Sequence, residues 1–278
     1  MTVIVPPGMT PPDPPPTNGA VLSAPPPPAL ADPEIQTFGS VSFLPDGRLL
    51  FSSRRPDTEA KPDEDSEDRT ALWLLPEAGE ARQVARRGGD VGDMAVARES
   101  GHVAFTGSTL PGADTVEDDE KRRQARKDAG VTAILHERHP VRYWDHDLGP
   151  DEPHVLFSEP APVGDGRLTA IRDLTPDAEG NVGEGLAVSP DGRTVAVEWR
   201  VDDGRAAHHG SLAIIDTASG ERRILSTDGL WLSDPVFSPD GTGLAYLQET
   251  LGDWDTAPKR TLHLLDLASD ETREVLPA

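Results

Sequence analysis

The stretch SPDGRTVAV (189–197) decides how the chain is interpreted, because two further versions of it occur in the sequence. They are LPDGRLLF (44–51) and FSPDGTGLAY (237–246). In a tight turn, Pro presets φ, Asp accepts a local backbone hydrogen bond, and Gly supplies the left-handed conformation that returns the chain to the sheet. Each copy joins two short apolar runs, so the sequence predicts three hairpins of antiparallel strands.

A second repeated element extends each hairpin to four strands. Its copies are ALWLLPEAGEARQVA (71–85), SLAIIDTASGERRIL (211–225) and TLHLLDLASDETREVL (261–276). Each copy reads as a strand, a short turn with Gly or Asp, and a more polar strand. The glycines of the two clearest turns, Gly192 and Gly241, are 49 residues apart. A period of this length with four strands per repeat is typical of β-propeller blades.

We therefore predict an all-β fold of about four propeller blades, each of four antiparallel strands, that form a partial propeller. The blades are expected at 39–86, 90–175, 185–226 and 233–276. In every blade the longest connection is expected between the second and third strands, at 56–69, 109–153, 200–210 and 250–260. Connections of one type emerge on one face of a propeller, so we expect functional groups on that face.

A helix is expected inside the longest of these connections, at about 114–130. Asp114 and Glu117 have the spacing of a capping box, and Gly130 fits the position just beyond a helix end. Glu117/Lys121, Asp118/Arg122 and Asp119/Arg123 are opposite charges four residues apart. The helix has almost no apolar face, which leaves two alternatives: a solvated insertion, or a helix that docks against another domain.

Composition excludes several classes of function. The net charge is -23 and no basic stripe is visible, which argues against nucleic acid as a partner. Such acidity weakly favours cationic substrates or peptide amino termini. The chain has no Cys, which excludes thiolate nucleophiles, disulfides and Cys-ligated zinc. No apolar stretch has the length of a membrane span and no secretory signal is visible, so a cytoplasmic protein without membrane contact is expected.

The amino-terminal region, 1–38, differs from the rest because it is rich in proline. Residues 6–33 include twelve prolines, a composition that favours an extended polyproline conformation. We interpret this region as an arm. It acts either as a plain spacer or as a ligand for an aromatic groove.

The blade repeats resemble the TolB-like repeats of the amino-terminal propeller in the prolyl oligopeptidase family of serine peptidases. The segment KRRQARKDAGVTAILHERHPVRYWDHDLGPDEPHVLF (121–157) resembles the insertion found in the acylaminoacyl peptidase and dipeptidyl peptidase branch. Together these similarities extend over about 39–276. The resemblance implies that the chain gates peptide access to an α/β-hydrolase domain that carries the nucleophilic Ser, and that it contacts peptide substrate through that domain.

The chain departs from the family in one respect that decides its chemistry. It contains no G-x-S-x-G motif, so no catalytic residue can be assigned and the chain alone is expected to be inactive as a peptidase. A partial propeller also exposes strand edges, so we expect self-association. The alternative function is a free-standing TolB-like propeller that acts as a protein-interaction module.

Four residues of the insertion are candidates for substrate or domain contacts: Arg142, Trp144, Asp145 and His146. The alternative interpretation is that these residues pack the insertion onto its blade, because no nucleophile or positioned partner is evident. The run HERH (136–139) falls one residue short of a zinc-binding H-E-x-x-H motif. The acids between 57 and 68 lack the glycine and closing Glu of a calcium loop. We therefore predict neither a metal nor a cofactor, and we interpret the acidic run as a solvated loop.

Overall fold

The computed structural model describes most of the chain from residue 38 onward. The described residues are 38–54, 69–87, 89–113, 115–136, 141–143, 146–161, 166–204, 207–225, 229–252 and 254–276. The proline-rich arm expected at 1–38 lies outside them except for its last residue. The acidic connection expected at 56–69 also lies outside them, except for Arg69.

The described secondary structure consists of strands and one helix. In chain order the elements are β1 (Phe38–Phe43), β2 (Leu49–Arg54), β3 (Thr70–Leu75), β4 (Arg82–Ala85), β5 (Val91–Val96), β6 (Val103–Thr109), α1 (Val116–Asp128), β7 (Arg142–Tyr143), β8 (His146–Asp147), β9 (Glu152–Ser158), β10 (Arg172–Asp173), β11 (Val182–Val188), β12 (Thr194–Gly204), β13 (Ala207–Asp216), β14 (Arg222–Leu225), β15 (Leu230–Phe237), β16 (Gly243–Thr250), β17 (Lys259–Asp266) and β18 (Thr272–Leu276).

The larger strands form four antiparallel sheets of four strands each. Their orders are β1-β2-β3-β4, β5-β6-β9-β10, β11-β12-β13-β14 and β15-β16-β17-β18, and β7 pairs with β8 in a separate small sheet. The first strands of successive sheets contact one another, β1 with β5, β5 with β11 and β11 with β15. The described sheets do not close into a ring. The prediction of an all-β fold built from four-stranded blades is confirmed, and each sheet is called a blade below.

The third blade shows how the blades hold together, because its two faces pack against different neighbours. Val195 and Val197 belong to the apolar cluster that includes Phe157 of the second blade. Ala196 lies between them in sequence and packs in the cluster of Leu244 in the fourth blade. Successive residues of a strand point to opposite faces, so alternate apolar positions serve the two interfaces.

The repeated Pro-Asp-Gly turns have the expected conformation. Gly192 has φ of 78° and Gly241 has φ of 73°, and the Gly192 N–H donates to the Ser189 carbonyl oxygen at 2.9 Å. In the fourth blade, Asp240 accepts hydrogen bonds from the Ser238 hydroxyl at 2.6 Å and the Thr242 N–H at 3.1 Å. The Ser238 hydroxyl, assisted by Thr242, lowers the pKa of Asp240 to about 2. The ionised carboxylate therefore holds the turn together.

The turns of adjacent blades also pack on one another. The backbone N–H groups of Glu99 and Ser100, in the second blade, donate to the Pro190 carbonyl oxygen at 2.8 and 3.2 Å. Gly192 lies so close to the second blade that an added Cβ would be 2.6 Å from Ser100 Oγ and 2.8 Å from His102 Nδ1. Each turn therefore closes a hairpin and also contributes to the contact between blades.

One expected connection is wrong. Residues 200–210 were predicted to join the second and third strands of the third blade, but β12 and β13 continue through this stretch to Gly204 and Ala207. Val201 pairs with His209 and Asp202 with His208 in a long hairpin. The polar residues of this stretch are typical of a loop. They are nevertheless paired, because the hydrogen-bonded ladder of the apolar residues before them continues to the end of the hairpin. Sheet pairing therefore overrides the local preference here.

Helix α1 confirms the helix predicted in the insertion but corrects its cap. Its N-cap is Thr115, whose hydroxyl accepts the Asp118 N–H at 3.1 Å, and not Asp114, which lies outside the described residues. Gly130 beyond the helix end has φ of 63°, as expected. No helix in the described ranges has the length and apolarity that crossing a bilayer requires.

Ion pairs and hydrogen bonds of charged side chains hold the helix on the second blade. The sequence did not predict this contact, because the helix has almost no apolar face. Asp119 is fully buried and accepts the Leu110 N–H at 2.7 Å and Arg123 Nε at 2.9 Å. Arg123 also donates to the Ser108 carbonyl oxygen at 3.0 Å. Arg87 Nη2 lies 3.8 Å from Asp119 on the other side. The helix is therefore fixed to its own blade and is not a wholly solvated insertion.

Replacing Asp119 by Asn should release the helix. The change leaves the buried guanidinium of Arg87 without its anion, and loss of one partner of a buried ion pair costs about 3–5 kcal/mol. Urea unfolding should show this loss, and trypsin should cut within α1 faster. Asp118→Asn is the matched control, because Asp118 makes a similar pair with Arg122 at the surface and should lose less than about 1 kcal/mol. Equal stability of the two variants would contradict the proposed docking.

Gly192→Ala should destabilise the chain more than Gly47→Ala. Both glycines have positive φ, which costs a substituted residue about 1 kcal/mol. An added Cβ at Gly47 meets nothing within 4 Å, whereas at Gly192 it meets Ser100 and His102 of the second blade. Urea unfolding free energies should therefore differ by a further 1–2 kcal/mol or so. Equal losses would show that the turns do not contribute to the blade contact.

Candidate functional site

The first strand of every blade is irregular near its start. Pairing with the second strand is interrupted between Phe38 and Val41 in β1, and between Val91 and Met94 in β5. The same interruption occurs in β11 between Val182 and Leu186, and in β15 between Ser233 and Val236. Such bulges turn side chains away from the regular alternation of a strand. We call the zone formed by these four bulges the inner rim.

Acidic side chains lie at the inner rim of three blades. They are Asp93, Glu184 and Asp234, and the equivalent position in the first blade is Ser40. Asp93 accepts the Ser40 hydroxyl at 3.2 Å and the Gly185 N–H at 3.0 Å, so its carboxylate joins the first, second and third blades. The Asp93 carboxylate therefore forms part of the contacts between blades.

Glu198 of β12 adds a fourth carboxylate at the boundary of the third and fourth blades. Its Oε1 accepts the Asp234 N–H at 3.1 Å. Asp234 itself has φ of 53°, an uncommon value for a residue with a side chain. Gly183 and Gly185 lie against the Glu198 side chain, and a Cβ added at Gly185 would be 2.5 Å from its Oε1. The backbone of β11 can approach this carboxyl so closely only because these residues are glycines.

Burial changes the acidity of Glu198. Desolvation raises its pKa to about 7, and the negative charges of Asp234, Glu184 and Asp93 act in the same direction. The Asp234 N–H opposes the rise because it donates to the carboxylate. A carboxyl that titrates near neutral pH inside a cavity is a common property of functional sites.

The rim acids open into a cavity of about 510 Å³. Asp93, Glu184 and Glu198 line it, together with Trp199 and Trp231 as its aromatic wall. The basic residues of its described lining are Arg200 and His209. We call this space the rim cavity. It can accept a small cationic group, which the acids would attract and the indoles would shield from water.

A second cavity of about 560 Å³ lies beside the rim cavity. The two share Pro153, Val182 and Arg200 in their linings. The second cavity extends to Leu135 and His136 of the insertion. The two cavities are therefore neighbours, one at the inner rim and one towards the insertion.

The predicted contact residues of the insertion lie largely outside the described structure. Arg142 is exposed and pairs through its backbone with Asp147 between β7 and β8. Trp144 and Asp145 lie outside the described residues, and only the backbone of His146, which pairs with Tyr143, is described. The predicted contacts of these four residues stay a prediction.

The histidine and acidic motifs add no metal centre to the described structure. Of the HERH run only His136 is described, and it is exposed. The acids from 57 to 68 lie outside the described residues. Within the described ranges, no group of three or more His, Asp or Glu side chains is arranged to hold a metal ion.

The rim residues were missed in the sequence, although a weak regularity marks them. Asp93 and Glu184 precede the glycine of their turns by eight residues, and Ser40 and Asp234 by seven. A polar residue beside Gly or Pro, seven or eight residues before the turn glycine, is therefore the signal of the bulge. Glu198 has no such signal, because its burial depends on the glycines of the neighbouring strand.

The sequence is similar to that of one peptidase over most of its length. Dipeptidyl-peptidase 5 of Trichophyton equinum is 26% identical, and the aligned region covers 72% of this chain and 30% of that protein. The chain thus spans less than a third of the length of this relative. No protein-family model matches the chain.

The solved structures to which the chain is similar include two proteins with different names. TolB from Acinetobacter baumannii has a TM-score of 0.49 at 12% identity, covering 87% of this chain and 44% of that one. The tricorn protease has a TM-score of 0.48 at 12% identity, covering 84% of this chain and 18% of that one.

Proposed function

We propose that the chain is the non-catalytic propeller part of a prolyl oligopeptidase-like serine peptidase of the acylaminoacyl or dipeptidyl type, and that it gates peptide access to a hydrolase domain. The similarity to dipeptidyl-peptidase 5 is the observation that carries this proposal. The blade repeats support it, because the family resemblance rests on the same residues. The chemistry of peptide cleavage then belongs to the hydrolase domain, and the propeller selects what reaches it.

The rim cavity gives this gating role a chemical basis. A peptide with a free amino terminus carries a positive charge at neutral pH, and the acids Asp93, Glu184 and Glu198 provide a negative potential at the inner rim. An acylated amino terminus lacks that charge and gains nothing from the acids. We therefore assign the rim cavity to the free amino terminus, and the neighbouring cavity to the residues that follow it.

The second candidate function is a free-standing propeller that binds other proteins. The exposed apolar residues favour it, since Leu135 of the insertion is 82% exposed and Trp254, between β16 and β17, is fully exposed. Large apolar side chains at the surface are frequent in protein interfaces. Coding sequence beyond Ala278 distinguishes the two candidates, because a G-x-S-x-G motif followed by Asp and His would support the peptidase.

Isothermal titration at pH 7, where most dipeptide amino groups are protonated, should detect binding of Ala-Ala to the purified chain and much weaker binding of its N-acetyl form. Asp93→Asn and Glu198→Gln should each weaken the binding of Ala-Ala about fivefold, because a partly exposed ion pair contributes about 1 kcal/mol. Glu271→Gln is the matched control. Glu271 is an exposed acid in the turn before β18, away from the rim, and its replacement should change nothing.

Two results would contradict the proposal. Equal affinity for the free and acetylated dipeptides would show that the rim acids do not recognise an amino terminus. Covalent labelling of this chain by a fluorophosphonate probe would show that it carries its own serine nucleophile, contrary to the assigned non-catalytic role.

A further inference from the structure

The boundary between the third and fourth blades depends on Glu198 at the inner rim. The hydrogen bond from the Asp234 N–H crosses this boundary and ends on the Glu198 carboxyl. The same carboxyl is packed against Gly185 of β11, and Gly183 lies beside the Cβ and backbone of Glu198. Glu198 of β12 therefore contacts both β11 and β15, and a change in its charge acts directly on the junction between two blades.

The charged groups that face Glu198 come from every element packed around it. The acids are Asp93 of β5, Glu184 of β11 and Asp234 of β15. The bases in the lining of the rim cavity are Arg200 of β12 and His209 of β13. Among the described residues, Glu198 has no ion-pair partner within 4 Å. Ionisation thus adds a negative charge to a place that is already negative.

Ionisation of Glu198 is unfavourable in the packed arrangement, and this affects the junction between the blades. Because burial raises the pKa of Glu198 to about 7, the packed arrangement favours the neutral carboxyl. By linkage, ionisation favours any arrangement in which this carboxyl is better solvated. The simplest such movement withdraws the Asp234 bulge from Glu198 and widens the rim cavity, since this bulge forms the other side of the junction.

We propose that Glu198 is a proton-controlled latch between the third and fourth blades, closed when the carboxyl is neutral and loosened when it is ionised. The latch determines the width of the rim cavity, whatever ligand enters it. It is therefore independent of the peptidase assignment above. A rise in pH ionises the carboxyl and shifts the balance towards the loosened state.

Nuclear magnetic resonance of the ¹⁵N-labelled full chain, without ligand, tests the latch. The amide signal of Asp234 should shift between pH 5 and 9 with a midpoint near 7, and its hydrogen exchange, corrected for the intrinsic rate, should accelerate above the midpoint. In Glu198→Gln the shift should disappear. A flat Asp234 signal in the wild type, or a titration that persists in the variant, would overturn the proposal.

A second variant keeps the test valid if Glu198→Gln folds poorly. Glu184 is exposed, so Glu184→Gln should leave the fold intact while it removes one of the neighbouring negative charges. The Asp234 midpoint should then move to lower pH by roughly half a unit. Glu271→Gln should leave the midpoint where it is. An unchanged midpoint in Glu184→Gln would contradict the proposed coupling of the rim acids.

The pH dependence of thermal unfolding tests the ionisation of Glu198 independently, and its direction is defined. The pKa of Glu198 in the folded state is about 7, above the ordinary value of 4.5, so the folded chain binds more protons between these two values. The stability contributed by neutral Glu198 is therefore complete below pH 4.5 and is lost as pH rises towards 7. The melting temperature of Glu198→Gln should rise relative to the wild type over this interval. A constant difference would contradict the proposed ionisation.

Discussion

A four-stranded sheet with apolar residues on both faces must be covered on both sides, and the rest of this structure depends on that constraint. In the third blade, Val195 and Ile215 serve the interface with the second blade, while Leu212 and Ile214 serve the interface with the fourth. Sheets of this kind cannot fold one at a time without exposing a large apolar area. Stacking them in sequence buries both faces and places their first strands side by side.

The same stacking creates the candidate site. Because the first strands of the blades are neighbours, a bulge at the same place in each strand brings residues distant in sequence to one rim. Asp93 illustrates this effect, since its carboxylate joins Ser40, 53 residues earlier, to Gly185, 92 residues later. Asp93 and Glu198 thus have a structural role as contacts between blades. The charge of the rim acids is also the basis of the proposed preference of the rim cavity for cations. The proposed peptide gate and the proposed proton-controlled junction both rest on this double role.

The repeats predicted the fold well because turn chemistry and strand alternation are local. The Pro-Asp-Gly turns and the paired apolar runs defined four-stranded blades without knowledge of tertiary contacts. The long hairpin of β12 and β13 was missed because polar residues such as Asp202 remain paired there only through their neighbours. The docking of α1 was missed for a related reason: its partner Arg87 lies 32 residues before Asp119 in the sequence.

The candidate site was less accessible to sequence reasoning than the fold. The raised pKa of Glu198 results first from burial beside the glycines of β11 and then from acids on β5, β11 and β15, and none of these relations is local. The predicted contacts in the insertion, by contrast, were proposed from residue types alone. Residue type indicates what a side chain can do, whereas the register of the blades determines which side chains meet.

The side-by-side arrangement of first strands is the central claim, and cross-linking between engineered cysteines tests it most directly. The chain has no native Cys, so Ser40→Cys with Asp93→Cys introduces one defined pair. Because Ser40 Oγ lies 3.2 Å from Asp93 Oδ1, a short bismaleimide should link the pair within one chain, with fast mobility in a denaturing gel. Single-cysteine variants should give no such species. Failure of the folded double variant to form the intrachain link would contradict the blade arrangement.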